Sequence, residues 1–269
     1  GFFPKAYGGP PPGKRAFPWT HQRTNPAGSL IEGAANPLRL VVVSAGVSDP
    51  STSRMLADRI AQRSLDLLRD AGNEATVSVV ELAPLAVDIA QAIVSGFSGE
   101  QLQAAIGQLA EADALIVSTP LYKAGISGLF KSFLDILDND LLVAKPIALA
   151  ATAGSARHGM VVDDHLRPLF AFMRALPVPT SVFAAPEDWG DVALGDRITR
   201  AAMELTHFLR SGVGAAIAEQ AWSGYKHQFG GNAKRAARTV ADVDFSSDLM
   251  LLAAGGRSGS PGPVRSGRA

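Results

Sequence analysis

The sequence predicts an α/β protein built on a doubly wound, five-stranded parallel sheet with helices on both faces. Short, uninterrupted apolar runs alternate along the chain with segments of helical periodicity. The first run, Leu38–Ser44, is continuously apolar, which is the type expected of a strand covered on both faces. Strands that alternate with helices favour parallel neighbours joined by right-handed crossovers.

Five apolar runs are predicted to be strands. The first, LRLVVVS at Leu38–Ser44, is the continuous type expected of a strand buried on both faces. The other four have the same character: Thr76–Leu82, Ala114–Thr119, Pro146–Ala151 and Thr180–Ala184.

Five helices are predicted between and after these strands, because apolar residues recur three or four positions apart. In chain order, the apolar positions are Met55, Leu56, Ile60 and Leu67; Leu102, Ala105, Ile106 and Leu109; Ile126, Leu129, Phe130, Phe133, Leu134 and Leu137; Leu166, Leu169, Phe170 and Met173; and Ile198, Leu205, Phe208 and Leu209.

Composition divides the chain into four parts. Residues 1–37 contain seven prolines and six glycines, and are predicted to be a flexible N-terminal segment. Residues 255–269, with five glycines and three arginines, are expected to be a disordered tail. The α/β domain is then assigned to 38–211, and 212–254 to a C-terminal arm.

Charge and composition exclude several function classes. The 269 residues include 25 Lys plus Arg and 25 Asp plus Glu, which argues against a nucleic-acid partner. No uncharged apolar run approaches the roughly 18 to 20 residues of a membrane-spanning helix. Cysteine is absent from the sequence, so disulfides, thiolate metal sites and thiol nucleophiles are excluded. No His, Asp and Glu cluster suggests a metal site, so no metal is expected.

Ligands in open parallel sheets bind beyond the carboxyl ends of the strands, where the strand order reverses. The first predicted loop there, residues 44–53 (SAGVSDPSTS), leads directly into a helix. Small residues allow the backbone to approach an anion, and hydroxyls and the helix N-terminus supply donors. The loop has neither of the common glycine-rich nucleotide motifs, so a terminal monophosphate fits it better. A simpler alternative is that Ser51 or Thr52 only caps the helix.

The second and third loops have features suited to a flat ligand. Residues 119–128 (TPLYKAGISG) combine Pro120, which lacks an N–H group, with an aromatic Tyr122 that could face a ring, or could be an ordinary packing residue. Residues 152–159 (TAGSARHG) are small and polar, and their backbone groups could address the polar edge of a heteroaromatic ring. His158 could instead be a structural hydrogen-bonding residue.

Three segments resemble the signature regions of the flavodoxin-like NAD(P)H-dependent FMN reductases: VVVSAGVSDPSTSRMLA, STPLYKAGISGLFKSFLD and ATAGSARHGMVVDDHLRPLF. The C-terminal stretch beginning SGYKHQFGG is similar to a subgroup that accompanies luciferase-like, flavin-dependent monooxygenases. The resemblance covers about residues 38–256. It implies a flavodoxin-like sheet of order 2-1-3-4-5, and hydride transfer from NADH or NADPH to FMN.

The resemblance also assigns site residues. Ser51 matches the family's phosphate-binding serine and Ser53 its asparagine position, whereas Ser48 stands in place of an arginine and Gly46 in place of a serine. The flavin-binding set implied for this chain is Ser44, Gly46, Ser48, Ser51, Thr52, Ser53, Thr119, Pro120, Leu121, Tyr122, Lys123, Gly154, Ser155 and His158. Lys123 is one candidate cation near the ring and is otherwise a solvated lysine; Arg54 or extra hydroxyls could compensate for the missing arginine.

The leading hypothesis is therefore a cytoplasmic, homodimeric or homotetrameric FMN reductase that supplies reduced flavin to a monooxygenase. Two alternatives stay open. One is a reductase that keeps its FMN and reduces quinones or azo compounds, and the other is a flavodoxin-type electron carrier. The aromatic residues of 212–254 could pack on a neighbouring subunit or fold back on their own domain.

Overall fold

The computed structural model of this chain describes residues 37–221. The predicted segment 1–37 apart from its last residue, the arm beyond Ala221 and the tail 255–269 lie outside the described residues. The strands are β1 (Leu38–Ser44), β2 (Ala75–Glu81), β3 (Ala114–Tyr122), β4 (Gly125–Ile126), β5 (Pro146–Thr152), β6 (Leu176–Pro177) and β7 (Val182–Ala184). The helices are α1 (Thr52–Asp70), α2 (Ala86–Ser95), α3 (Glu100–Glu111), α4 (Gly128–Asp135), α5 (Arg167–Phe172), α6 (Val192–Ser211) and α7 (Val213–Ala221).

The sheet is parallel and doubly wound, as predicted. The strand order along its main path is β2-β1-β3-β5-β6, and β7 also pairs with β5. Only β4 is antiparallel among the described strands, because the chain turns back after Tyr122 and pairs with the end of β3. The register aligns Ser44 of β1 with Ser118 of β3, so the loops after these strands leave from the same edge.

The predicted count of five strands, and the order 2-1-3-4-5, require correction. Seven strands form the sheet in the described part of the chain, and the place of a single fifth strand is taken by β6 and β7, which pair with opposite ends of β5. Pro177 and Pro179 lie in or just after β6. Because proline has no N–H group, it cannot continue the ladder of hydrogen bonds, and the strand is interrupted there.

Two hydrophobic clusters cover the two faces of the sheet. On β1, Leu40 and Val42 belong to a cluster with α1 and α6, whereas Val41 and Val43 belong to the cluster that contains residues of α2 to α5. This alternation follows from the two-residue period of a strand. Both faces are thus buried on the central strands β1, β3 and β5, whereas the edge strand β2 alternates between half-buried and exposed residues apart from the buried Val80.

Two helices differ from the sequence prediction. Helix α2 was not predicted, because Val87 and Val94 are exposed apolar residues that obscure its amphipathic pattern. Helix α5 is preceded by a single π-helical turn at Val162–Leu166, so the predicted helix is not regular throughout. None of the described helices is long and apolar enough to cross a membrane.

The first residues of the predicted C-terminal arm pack on their own domain. Helix α7 runs from Val213 to Ala221, directly after α6. A Cβ atom on Gly214 would lie 2.5 Å from the carbonyl oxygen of Ala144, so glycine permits this close approach. The later aromatic residues of the arm lie outside the described residues.

Candidate functional site

Loops that follow four parallel strands line one pocket of about 230 Å³. The strands are β1, β3, β5 and β7, whose carboxyl ends meet at one edge of the sheet. The lining residues are Gly46, Val47, Ser48, Ser51, Thr52, Ser53, Pro120, Leu121, Tyr122, Thr152, Ala153, Gly154, Ala184, Pro186 and Trp189. None of these described lining residues carries a charged side chain. The pocket therefore relies on hydroxyl and backbone groups for polarity.

Ser51 connects the first loop to α1 and acts as its N-cap. Its side-chain oxygen accepts a hydrogen bond from the backbone N–H of Arg54 at 3.2 Å. The first intrahelical hydrogen bond runs from Met55 N–H to Ser51 O, so the N–H groups of Thr52 and Ser53 precede the helical ladder. The Ser51 hydroxyl can still donate its own hydrogen. Capping and anion binding are consequently compatible at this residue.

Gly46 allows the loop to fold closely over Ser51. A Cβ atom at position 46 would overlap Ser51 Oγ and would lie 2.9 Å from Ser51 Cβ. Any larger residue at 46 would therefore push the loop away from the start of α1. The serine that the family resemblance places at this position does not fit this loop conformation.

The first and third loops are joined by a buried hydroxyl pair. Ser53 Oγ lies 2.7 Å from Thr152 Oγ1, and Thr52 Oγ1 donates to the same threonine oxygen over 3.5 Å. Ser53 and Thr152 are both buried. The N-terminus of α1 is thereby held against the carboxyl end of β5.

The second loop is a tight hairpin that presents Tyr122. Lys123 and Ala124 have φ angles of 52° and 63°, a conformation that residues other than glycine rarely adopt. Such strain is typical of loops whose shape is set by function. The Tyr122 side chain is 52% exposed, so its ring is accessible from solvent. Lys123 does not line the pocket.

Most of the predicted site residues lie together, and five do not. Ser51, Tyr122 and Gly154 line the same pocket, with Gly46, Ser48, Thr52, Ser53, Pro120 and Leu121. The five predicted residues outside the lining are Ser44, Thr119, Lys123, Ser155 and His158.

Four of these five have structural contacts instead. Thr119 is buried, and its Oγ1 accepts a hydrogen bond from Ser127 N–H at 3.3 Å, which tightens the second loop. Ser44 is also buried, and its Oγ accepts a hydrogen bond from Gly46 N–H at 3.5 Å. Ser155 Oγ and His158 Nδ1 lie 3.5 Å apart.

Arg54, the nearby cation proposed to compensate for Ser48, does not line the pocket. Its guanidinium donates to Asp58 Oδ1 at 2.7 Å and to Glu81 Oε1 at 2.9 Å. The hydrogen bond to Asp58 is the main cause that raises the pKa of Arg54, although partial burial acts in the opposite direction. Its charge is already balanced by two carboxylates.

Thr152 and Trp189 are pocket residues that the site prediction lacked. Thr152 is the first residue of the third predicted loop, directly at the end of β5. Trp189 lies beyond β7, in a short 3₁₀ turn at Pro186–Gly190. It follows the predicted strand Thr180–Ala184, so the rule that ligands bind beyond strand ends also indicates its loop.

Comparison with known proteins assigns the chain to a family. Residues 38–190 match the family model described as NADPH-dependent FMN reductase. The chain belongs to this family. The matched region ends within the turn that carries Trp189, so it includes all four loops of the pocket.

Curated relatives with this activity align over nearly their whole length. An NADH-dependent FMN reductase, SfnE, from Pseudomonas putida is 35% identical over 173 residues, which are 62% of this chain and 90% of the relative. An FMN reductase (NADPH) from Pseudomonas aeruginosa is 30% identical over 172 residues, 63% of this chain and 89% of the relative.

Solved structures agree with this assignment. An oxidoreductase from Corynebacterium diphtheriae is 42% identical with a TM-score of 0.64, and the match covers 66% of this chain and 99% of that structure. The apo form of an NADH:FMN oxidoreductase, EmoB, is 29% identical with a TM-score of 0.53, and the match covers 65% of this chain and 89% of that structure. This FMN reductase is an oxidoreductase, with FMN and NAD(P)H as its cofactors.

The groups that line the pocket of this FMN reductase are compatible with FMN. Hydroxyls and a helix N-terminus suit a phosphate, the apolar segment Pro120–Leu121 suits a ring, and the backbone at 153–154 can address polar ring atoms. No group of His, Asp and Glu residues within 37–221 has the arrangement of a metal site.

Proposed function

We propose that the pocket binds FMN with its phosphate at the start of α1 and its ring beside Pro120, Leu121 and Tyr122. The observation that carries this assignment is the grouping of Ser48, Ser51 and Thr52 at the start of α1, in a pocket that Pro120 and Leu121 also line. Backbone N–H groups at a helix N-terminus and neighbouring hydroxyls are donors that favour an anion. The polar edge of the flavin then faces the backbone of Ala153 and Gly154.

The protein contributes orientation and access rather than proton transfer. FMN, when bound, accepts a hydride from the nicotinamide and passes the electrons on. The chain holds the flavin in a fixed orientation through its hydroxyls and backbone groups. This lowers the entropic cost of bringing the flavin and the nicotinamide together. Because Tyr122 is half exposed, the pocket is open beside the second loop, where a nicotinamide could approach.

We further propose that the enzyme releases reduced FMN to a flavin-dependent monooxygenase of the luciferase-like class. The uncharged lining supports this, because an ionic contact to phosphate is roughly twice as strong as a neutral hydrogen bond. The volume of about 230 Å³ is also below the ~300–1,000 Å³ of pockets that enclose a small ligand. Both features favour a flavin that exchanges with solution.

The proposed assembly is a cytoplasmic homodimer or homotetramer. Exposed apolar residues on α2 support self-association, since Val87 and Val94 are 78% and 89% exposed. We propose that the arm 212–254 contributes to it beyond α7. Deleting residues 222–254 and measuring the mass of the assembly tests this, and an unchanged mass would refute a role for the arm.

The proposed reaction is tested by steady-state oxidation of NADH and NADPH, with and without added FMN, after exhaustive removal of bound flavin. We expect oxidation that depends on added FMN and saturates with it. Activity that persists without added flavin, in a protein that stays yellow, would instead indicate an enzyme that retains FMN. Absence of NAD(P)H oxidation under all conditions would indicate an electron carrier.

A further inference from the structure

None of the described residues that line the pocket has a charged side chain. Arg54, the first cation of α1, donates to Asp58 and Glu81 and does not line the pocket. A phosphate monoester carries between one and two negative charges near neutral pH. A cation close behind the lining would therefore affect how well a phosphorylated ligand binds.

Trp189 is the largest side chain in the lining and is held in a defined position. It lies in the 3₁₀ turn after β7, and the N–H group of Ala185, the residue that precedes this turn, donates to Asp188 Oδ2 at 2.8 Å. The side chain of Trp189 also packs against the hydrophobic cluster of α1 and α6. It lines the same pocket as Ser51 and Thr52, the residues at the start of α1 where the phosphate is proposed to bind, so this pocket includes an aromatic surface.

Arg59 lies against the ring of Trp189. Its guanidinium carbon is 5.1 Å from the ring centroid, within the ~6 Å range of a cation–π interaction. The side chain is exposed, and it forms no ion pair with any residue of 37–221. The indole thus holds an otherwise unneutralised cation next to the pocket.

We propose that Trp189 is an FMN-binding residue and that Arg59, held on its ring, makes the pocket prefer FMN to riboflavin. The inference rests on the proposed binding of FMN in this pocket. Trp189 contributes apolar contact to any flavin, since aromatic surfaces bury a large area at low entropic cost. Arg59 contributes long-range attraction that only the phosphorylated form receives.

The two contributions are separated by titrating FMN and riboflavin into the flavin-free protein and following flavin fluorescence. Trp189→Leu is expected to weaken both ligands, by about tenfold for FMN. Arg59→Gln is expected to weaken FMN by about two- to fivefold at low salt and to leave riboflavin unchanged, with the difference shrinking at high salt. Arg69→Gln, the same change near the far end of α1, is the matched control and should bind both flavins as the wild type does.

The result that would overturn the inference is a Trp189→Leu variant that binds FMN as tightly as the wild type. An Arg59→Gln variant that loses FMN and riboflavin equally would overturn the selectivity part. Trp189→Phe keeps an aromatic ring and replaces the leucine variant if that protein does not fold; Arg59 is exposed, so its variant tests selectivity independently. If the wild type oxidises NAD(P)H with FMN and both variants bind FMN and riboflavin as the wild type does, only this inference is refuted. If the wild type binds no FMN, the proposed function is refuted as well.

Discussion

Ser53 Oγ and Thr152 Oγ1 lie 2.7 Å apart in a buried contact that joins the first turn of α1 to the carboxyl end of β5. These two residues are almost a hundred positions apart in sequence, and each belongs to a different loop of the pocket. The contact fixes the start of α1, where the phosphate is proposed to bind, relative to the loop after β5, which is proposed to face the ring edge.

Removing this contact should destabilise the fold. Ser53→Ala leaves Thr152 Oγ1 with only the longer contact to Thr52, and we expect a loss of about 1–2 kcal/mol in the free energy of unfolding. Urea denaturation measures it. Ser95→Ala, which removes an exposed hydroxyl that donates to Gln91 O and accepts from Phe97 N–H, should change stability by less than about 0.5 kcal/mol. Equal stability of the two variants would contradict this role for Ser53.

The two roles of Ser51 can be separated by substitution. Ser51→Ala removes both the cap and the donor, so we expect about 1 kcal/mol lower stability and weaker FMN binding. Ser51→Asp keeps a good cap but places a negative charge at the phosphate seat. It should unfold at a urea concentration close to that of the wild type and bind FMN far more weakly. If the aspartate variant binds FMN normally, the phosphate does not lie at Ser51.

Gly46→Ala should disturb the first loop, because the added methyl group overlaps Ser51. We expect a loss of stability of about 1–3 kcal/mol, as for overpacked sites, and a higher KM for FMN. Gly107→Ala on α3 is the matched control. A Cβ atom there meets nothing within 4 Å, and alanine should raise helix stability by up to ~1 kcal/mol. Thermal unfolding of both variants compares the two effects, and a Gly46→Ala protein as stable as the wild type would show that the loop relaxes.

We expect the free energy of unfolding to depend on pH because of Lys145. Its Nζ donates to the carbonyl oxygens of Leu109, Ala110 and Ala112 at the end of α3, at 2.9, 3.0 and 2.6 Å. Burial outweighs the attraction of Asp113 and lowers the pKa of Lys145 from 10.5 to about 8. Between about pH 8 and 10.5 the folded protein has released this proton while the unfolded chain still binds it. Unfolding therefore takes up a proton, and this group makes stability rise with pH across that interval.

The measurement is the free energy of unfolding at a series of pH values from 7 to 10.5. Lys145→Met should lack this rising contribution, and should also be less stable because three carbonyl groups lose their donor. Lys131→Met, which removes an exposed lysine paired with Asp135, should keep the wild-type slope. Identical slopes in the Lys145→Met variant and the wild type would refute the lowered pKa.

The sequence predicted the sheet where strands are buried on both faces. Leu38–Ser44 was predicted with its observed bounds, because continuous apolar runs of this length occur in few other contexts. The last strand was less predictable, since the interruption at Pro177 and Pro179 depends on which part of β5 each fragment can reach. Helix α2 was missed because Val94 is exposed, against the usual pattern of an amphipathic helix.

The sequence predicts those residues of the candidate site that lie in loops directly after the carboxyl ends of strands. Ser51, Tyr122 and Gly154 come from three loops chosen by that rule, and the structure brings them to one pocket. Their roles toward FMN stay predictions. Trp189 follows the last predicted strand, so the strand-end rule indicates its loop, but its place in the lining depends on the turn after β7 and on packing against the cluster of α1 and α6. The contact between Ser53 and Thr152 likewise cannot be predicted from sequence, because it depends on how α1 and β5 pack together.

A crystal structure of the protein with FMN bound would show directly which residues hold the phosphate. We expect the phosphate to lie within hydrogen-bonding distance of Ser51 Oγ and of the N–H groups that begin α1, with the flavin ring beside Tyr122. Density for FMN elsewhere on the molecule, or in this pocket with its phosphate directed away from Ser51, would contradict it.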